Sequence, residues 1–341
     1  MKKFGLIITV ILIGTMLFSL AGCKSGTSNG DAGKDNQVIT IKLAHDEALD
    51  TPMDKTSKKF KELVEAKTDG KIKVDIYPSG QLGTAVSSLE QVIMGTHEMQ
   101  YTDINWLANW AADYNITSMS FLFEDSNHLQ KYLQSEWHQN VKNELREKHG
   151  LRVLAENASR MPRVVVSKSP YEKPEDFVGA DIRVPAIPLY LKVWEKIGAN
   201  PVRIAWGETY LGLSQGLAQA ADGPLDGAYQ MKFHEVTDYV ILTKHVYSAM
   251  SFVINENKFQ TLSPDTQKAL EEAAWEANEY FNSLNEKLWD EYLQELKNQG
   301  KQIIEIDADG FKSILVGLPE QFEAEGMWSE GLTEYVRALI K

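Results

Sequence analysis

Beyond residue 37 the chain switches repeatedly between a hydrophobic rhythm of period two and one near 3.6, a succession that predicts an α/β protein. Val38-Ile39-Thr40-Ile41-Lys42-Leu43 alternates as a strand, Lys58 to Val64 follows as a helix closing near Asp69-Gly70, and Lys71 to Tyr77 alternates again. Leu89 to Met94 reads as a helix stopped by Gly95, and Met99 to Tyr101 as a short strand. This order predicts a mainly parallel sheet. Leu151 to Leu154 and Val164 to Val166 read as strands crossing to a second lobe, since 341 residues exceed what one core usually holds. In that lobe Asp181 to Val184 is extended and stops at Pro185, which cannot donate to the next rung of a sheet. Leu189, Val193 and Ile197 recur at helical spacing until Gly198, and Pro201 to Trp206 is extended again. A helix then starts at Glu208, with Tyr210, Leu213 and Leu217 on one face. Arg183 is therefore delivered at a strand end of a β-α-β-α unit, where open α/β sheets place ligand groups. A surface ion pair is its plainer alternative.

The longest periodic stretch begins at Ser263-Pro264, a cap followed by a proline preset for the first turn, and meets no Gly or Pro until Gly300. A helix over that stretch is about 54 Å long, more than one lobe accommodates. Leu270, Ala273, Ala277, Phe281, Leu284, Leu288, Tyr292 and Leu296 keep one side apolar. That stripe suits either a helix lying across both lobes or a coiled-coil seam joining a dimer. The tail from Gln302 adds a strand and a terminal helix.

The first 23 residues follow a different pattern. Lys2 and Lys3 precede an apolar run from Phe4 to Leu20, and Leu20-Ala21-Gly22-Cys23 reads as a lipobox whose cysteine, the only one in the chain, takes a lipid before cleavage. A plain transmembrane anchor is the alternative. Both place the remainder outside the cytoplasm. Residues 24–37, KSGTSNGDAGKDNQ, form a flexible tether. Charge narrows the partners: 35 basic and 48 acidic residues give −13, and without Lys2 and Lys3 the 33 against 48 give −15. Nucleic acid is excluded. Such a chain repels an anionic ligand at long range, so only locally placed cations could hold one, and an arginine fork pairs both oxygens of a carboxylate.

Other chemistry is thinly represented. His45, Asp46 and Asp103 lie in loops but lack the spacing of a metal site. Trp106, Trp110, Tyr114, Phe121 and Phe123 have the composition of core. Gly212-Leu213-Ser214-Gln215-Gly216 matches the GxSxG of hydrolases, but that motif needs a sharp strand-to-helix turn and Ser214 falls inside a predicted helix. No HExxH, phosphate loop or GxGxxG is present. An extracytoplasmic lipoprotein hydrolase using Ser214 is the second reading; a binding protein is the first.

PEDFVGADIRVP at 174–185, WGETY at 206–210, KFHEV at 232–236, QLG at 81–83 and LEQVIMGTHEM at 89–99 carry a resemblance by their order and spacing. Together they resemble the extracytoplasmic solute-binding proteins of TRAP transporters, the DctP-type family. The resemblance implies a two-lobed periplasmic-binding-protein-like α/β fold with a long helix crossing both lobes. It assigns 38–160 with about 249–288 to one lobe, and 161–248 with about 289–341 to the other. It implies no enzyme activity and no cofactor, but capture of a small organic acid in the interlobe cleft and delivery to TRAP membrane subunits that run on an ion gradient. Arg183 is then the carboxylate holder and Arg163, twenty residues earlier, the second cleft arginine, with Arg160 as the structural alternative. Trp206 lines the pocket with Glu208 beside it, and Asp46 and Asp103 fall at polar cleft positions. Two departures stand out: Ala218-Gln219-Ala220 where members commonly read valine-aspartate-glycine, and Gly223 where many carry asparagine. The second removes an amide donor from a ligand-binding position.

Overall fold

A computed structural model describes residues 38–340. The leader, Cys23 and the tether lie outside the described residues. In chain order the strands are β1 (Ile39–Ala44), β2 (Ile72–Tyr77), β3 (Met99–Asp103), β4 (Leu151–Ser159), β5 (Arg163–Ser167), β6 (Asp181–Val184), β7 (Asn200–Arg203), β8 (Ala220–Pro224), β9 (Tyr239–Leu242), β10 (Ala249–Asn255) and β11 (Gln302–Glu305). They build two sheets, ordered β2-β1-β3-β10-β4 and β11-β9-β5-β8-β6-β7. The first is parallel only over β2-β1-β3, because β10 returns from the second lobe and runs antiparallel to β3 and β4. In the second, β6 is parallel to β7 and β8, while β5 runs antiparallel to β8 and β9.

Local signals set most boundaries. The first helix spans Pro52–Lys67, starting earlier than its apolar spacing suggests, because Thr51 accepts from the Asp54 amide and Pro52 occupies the first turn. Pro188–Ile197 ends at Gly198 with φ 103°, a left-handed position that favours glycine. The helix after Glu208 is short, Thr209–Gln215, and Gly216 ends it before Leu217, which is exposed rather than on the buried face with Leu213. The tail holds three helices after β11 instead of one: Ala308–Ile314, Leu318–Ala324 and Leu332–Ala338.

The long helix spans Pro264–Asn298 and starts where Ser263 accepts from the Thr266 amide. Its Leu270, Ala273, Ala277 and Phe281 enter the core of the first lobe with Leu43, Val74 and Phe252. Further along, Tyr292 and Leu296 enter the core of the second with Val164, Leu213 and Phe233. Six of the eight stripe positions are thus buried within their own chain and unavailable as a coiled-coil seam, while Leu284 and Leu288 between them are half-buried. Asn282 Oδ1 accepts from the Ser159 amide at 2.7 Å, and Asn285 Nδ2 donates to the Ser159 carbonyl at 3.0 Å. They brace the strand end where the chain leaves the first lobe. Two crossings, β4 to β5 and β9 to β10, are stitched together by Arg160 N to Ser248 O and Arg163 N to Val246 O, at 2.9 and 3.0 Å. Arg160 and Arg163 therefore stand on the ribbon between the lobes.

Candidate functional site

The ends of three strands, two from the first sheet and one from the second, and the interlobe ribbon converge on one cavity. β1 runs out into His45-Asp46-Glu47, β3 ends on Asp103, and β6 carries Arg183 to its end before Pro185. Asp46, Glu47 and Asp103 from the first lobe line a space of about 40 Å³ together with Arg160 and Arg163 of the ribbon and Arg183 and Trp206 of the second lobe. Asn105, Trp106, Pro185, Ile187 and Pro224 complete the wall.

The three arginines differ in their partners. Arg163 Nε donates to Asp222 Oδ1 at 2.7 Å, and its guanidinium lies 4.6 Å over the Tyr190 ring. Asp222 also accepts from Trp194 Nε1 at 2.9 Å and lies 3.4 Å from His245 Nε2. Burial alone would raise this carboxyl, but Arg163, His245 and the indole N–H outweigh it and hold it well below the usual carboxylate range. Arg160 meets three carboxylates: Glu47 at 2.6 Å, Asp103 at 3.4 Å and Asp226 at 3.5 Å. Burial works against its charge, yet those three acids raise its pKa.

Arg183 is 2 % exposed and has no carboxylate within 4.0 Å among the described residues. Its Nε donates to the Ile204 carbonyl at 2.9 Å and Nη1 to the Asp222 carbonyl at 3.1 Å, and the group lies 5.1 Å from the Trp206 ring. Nη2 donates to no described residue. Burial, and then the Arg163 guanidinium, pull Arg183 down to about 9. A buried arginine with neutral partners only is costly on its own and favours an arriving anion.

Trp206 hangs over the cavity from the short turn Trp206–Glu208. Its Nε1 donates to Glu47 Oε2 at 3.1 Å, across the lobes. Two glycines make room for the ring: a Cβ on Gly223 would come within 3.0 Å of it and one on Gly227 within 2.6 Å. Gly223, where an asparagine was expected from the resemblance, is therefore the residue that admits the indole.

Of the residues singled out in the sequence, Arg183, Arg163, Asp46, Asp103 and Trp206 line the cavity, and Gly223 lies beneath Trp206. Glu208 does not join them; it is exposed at the N-terminus of the Thr209–Gln215 helix. Ser214 is exposed within that helix, with no sharp turn to present it as a nucleophile. His45 Nε2 faces Asp54 at 3.4 Å, and no group of three or more possible metal ligands occurs among the described residues. Arg160 shares the cavity rather than standing aside from it. Glu47 escaped notice although it follows Asp46 directly. Burial first, and then Asp46 and Asp226 against Arg160, lift it to about 7. Burial likewise raises Asp46.

Residues 43–313 match the family described as bacterial extracellular solute-binding protein, family 7, also called DctP. The chain belongs to that family. It is 32 % identical over 260 residues to the 2,3-diketo-L-gulonate-binding periplasmic protein of Escherichia coli, covering 76 % of this chain and 79 % of that one. The C4-dicarboxylate-binding periplasmic protein of Rhodobacter capsulatus is 27 % identical over 267 residues, covering 77 % and 79 %. Among solved structures, a TRAP periplasmic solute-binding protein from Ochrobacterium anthropi with bound L-fuconate superposes with TM-score 0.83 at 29 % identity, covering 89 % of this chain and all of that one. One from Roseobacter denitrificans with bound L-galactonate gives 0.81 at 28 % identity, covering 89 % and 99 %. The two-lobed α/β fold and the solute-binding class of this DctP-family chain are thereby established.

Proposed function

We propose that this chain captures a small organic acid between its lobes and delivers it to the membrane subunits of a TRAP transporter, with Arg183 holding the carboxylate. The observation that carries this reading is the charge pairing: Arg163 and Arg160 are matched to acids of the protein, whereas Arg183 is buried with only carbonyl partners. Arg163 supports it by fixing Asp222, whose carbonyl accepts from both Arg163 Nη2 and Arg183 Nη1 at 3.1 Å. Asp46, Asp103 and Trp206 line the same space, and Gly223 acts through the indole. The acids named for the relatives above all carry a carboxylate that would fit this role.

At about 40 Å³ the cavity has room for a few waters at most, so an organic acid enters only when the lobes part. Three interlobe links, two paired crossings and one helix, suit a hinge. A native mass spectrum of the protein as purified tests the reading: a retained small acid is expected, and consistent retention of a neutral or cationic solute would contradict it.

We further propose that Cys23 is the acylated mature terminus, supported by the lipobox Leu20-Ala21-Gly22-Cys23 and the tether behind it. The lipid would keep the binding domain at the outer side of the cell membrane, near the transporter. Cys23→Ser is expected to move the protein out of the membrane fraction; a leader-cleaved variant that stays there would rule the anchor out.

A further inference from the structure

The acidic residues of the cavity restrict what kind of acid fits, given that Arg183 takes a carboxylate as proposed above. Arg163 is committed to Asp222, and Arg160 already faces Glu47, Asp103 and Asp226. One guanidinium is left, enough for one carboxylate. The remaining charged lining is Asp46, Glu47 and Asp103, and the large apolar surfaces are the Trp106 and Trp206 rings. A second carboxylate on the ligand would meet these acids with only Arg160, already shared among Glu47, Asp103 and Asp226, to offset them. Hydroxyl groups, by contrast, would donate to carboxylate oxygens, and C–H faces would lie on the indoles.

We infer that the ligand is a monocarboxylic acid bearing several hydroxyls, and that Glu47 sets this specificity by accepting a ligand hydroxyl and repelling a second carboxylate. Glu47 is suited to the task because it is held from two sides, by Arg160 of the ribbon on Oε1 at 2.6 Å and by Trp206 of the opposite lobe on Oε2 at 3.1 Å. Its oxygens are fixed where the lobes meet.

The test uses ligand-stripped protein and an equimolar pool of L-galactonate, D-glucuronate, galactarate, succinate and hexanoate, read by native mass spectrometry and followed by titration of each acid. Galactarate is a six-carbon polyol acid with a second carboxylate at the far end, and hexanoate lacks hydroxyls. Wild type is expected to retain a polyhydroxy monocarboxylate and to bind both dicarboxylates and hexanoate at least tenfold more weakly. Glu47→Gln removes a charge-assisted acceptor, and its preference for monocarboxylate over galactarate is expected to narrow roughly tenfold. A merely structural role would weaken both acids alike and leave the ratio unchanged, which would remove Glu47 from the account. Glu47→Asp, which keeps the charge, should keep the exclusion and serves if the glutamine variant does not fold. Succinate or galactarate bound by wild type as tightly as the monocarboxylates, and lost in Arg183→Lys, would overturn this inference while leaving the organic-acid reading intact. Retention of no acid, or equal retention by Arg183→Lys, would overturn both.

Discussion

Glu47 and Arg183 are an acid and a base that the protein strains in opposite senses. Arg183 is buried without an anionic partner, and Glu47 is 3 % exposed with two more acids nearby. For Glu47 the folded pKa, about 7, lies above the ordinary value of 4.5. The folded protein therefore holds a proton that the unfolded chain releases between those values, and stability falls as pH rises from about 4.5 to 7. Fully expressed, the penalty is of order 3 kcal/mol at most. Glu47→Gln cannot ionise, so its melting temperature is expected to gain on wild type between pH 5 and pH 8. An identical pH profile for the two proteins, measured without ligand, would show that Glu47 is not strained.

At the scale of elements, what could be read in advance was what is local. Gly198, Pro185 and Ser263-Pro264 punctuate the chain through their own backbone chemistry, so β6, the Pro188–Ile197 helix and the start of the long helix were legible. Arg183 was legible for the same reason, and the family resemblance then gave it a role. Glu47 was not: its partners Arg160 and Trp206 are 113 and 159 residues away, and nothing in a run of three polar residues distinguishes one that is held across a cleft from one that is solvated. The packing of Gly223 under the Trp206 ring was not legible either, because it is set by a contact between different elements of the second lobe. The antiparallel β10 likewise depends on long-range pairing rather than on its own pattern. Asn282 and Asn285, polar positions in a largely apolar stripe, turned out to bind the end of β4.

Over the whole molecule, these pieces describe two sheets joined by a ribbon and a helix, with a cavity at the join. The long helix enters the cores of both lobes, and Arg160 touches acids from both, Glu47 and Asp103 on one side and Asp226 on the other. The contacts that join the lobes here, Glu47 with Trp206 and Arg160, are made by residues that also line the cavity. The most direct test of the account is calorimetric titration of wild type and Arg183→Lys with the acid that native mass spectrometry identifies. Lysine keeps the cation but loses the fork. Disrupting one side of a buried charge pair costs about 2 to 5 kcal/mol, so the variant is expected to keep its ligand-free melting temperature and to bind roughly 30-fold to several thousand-fold more weakly. Equal affinity in the two proteins would contradict the assignment of the carboxylate to Arg183.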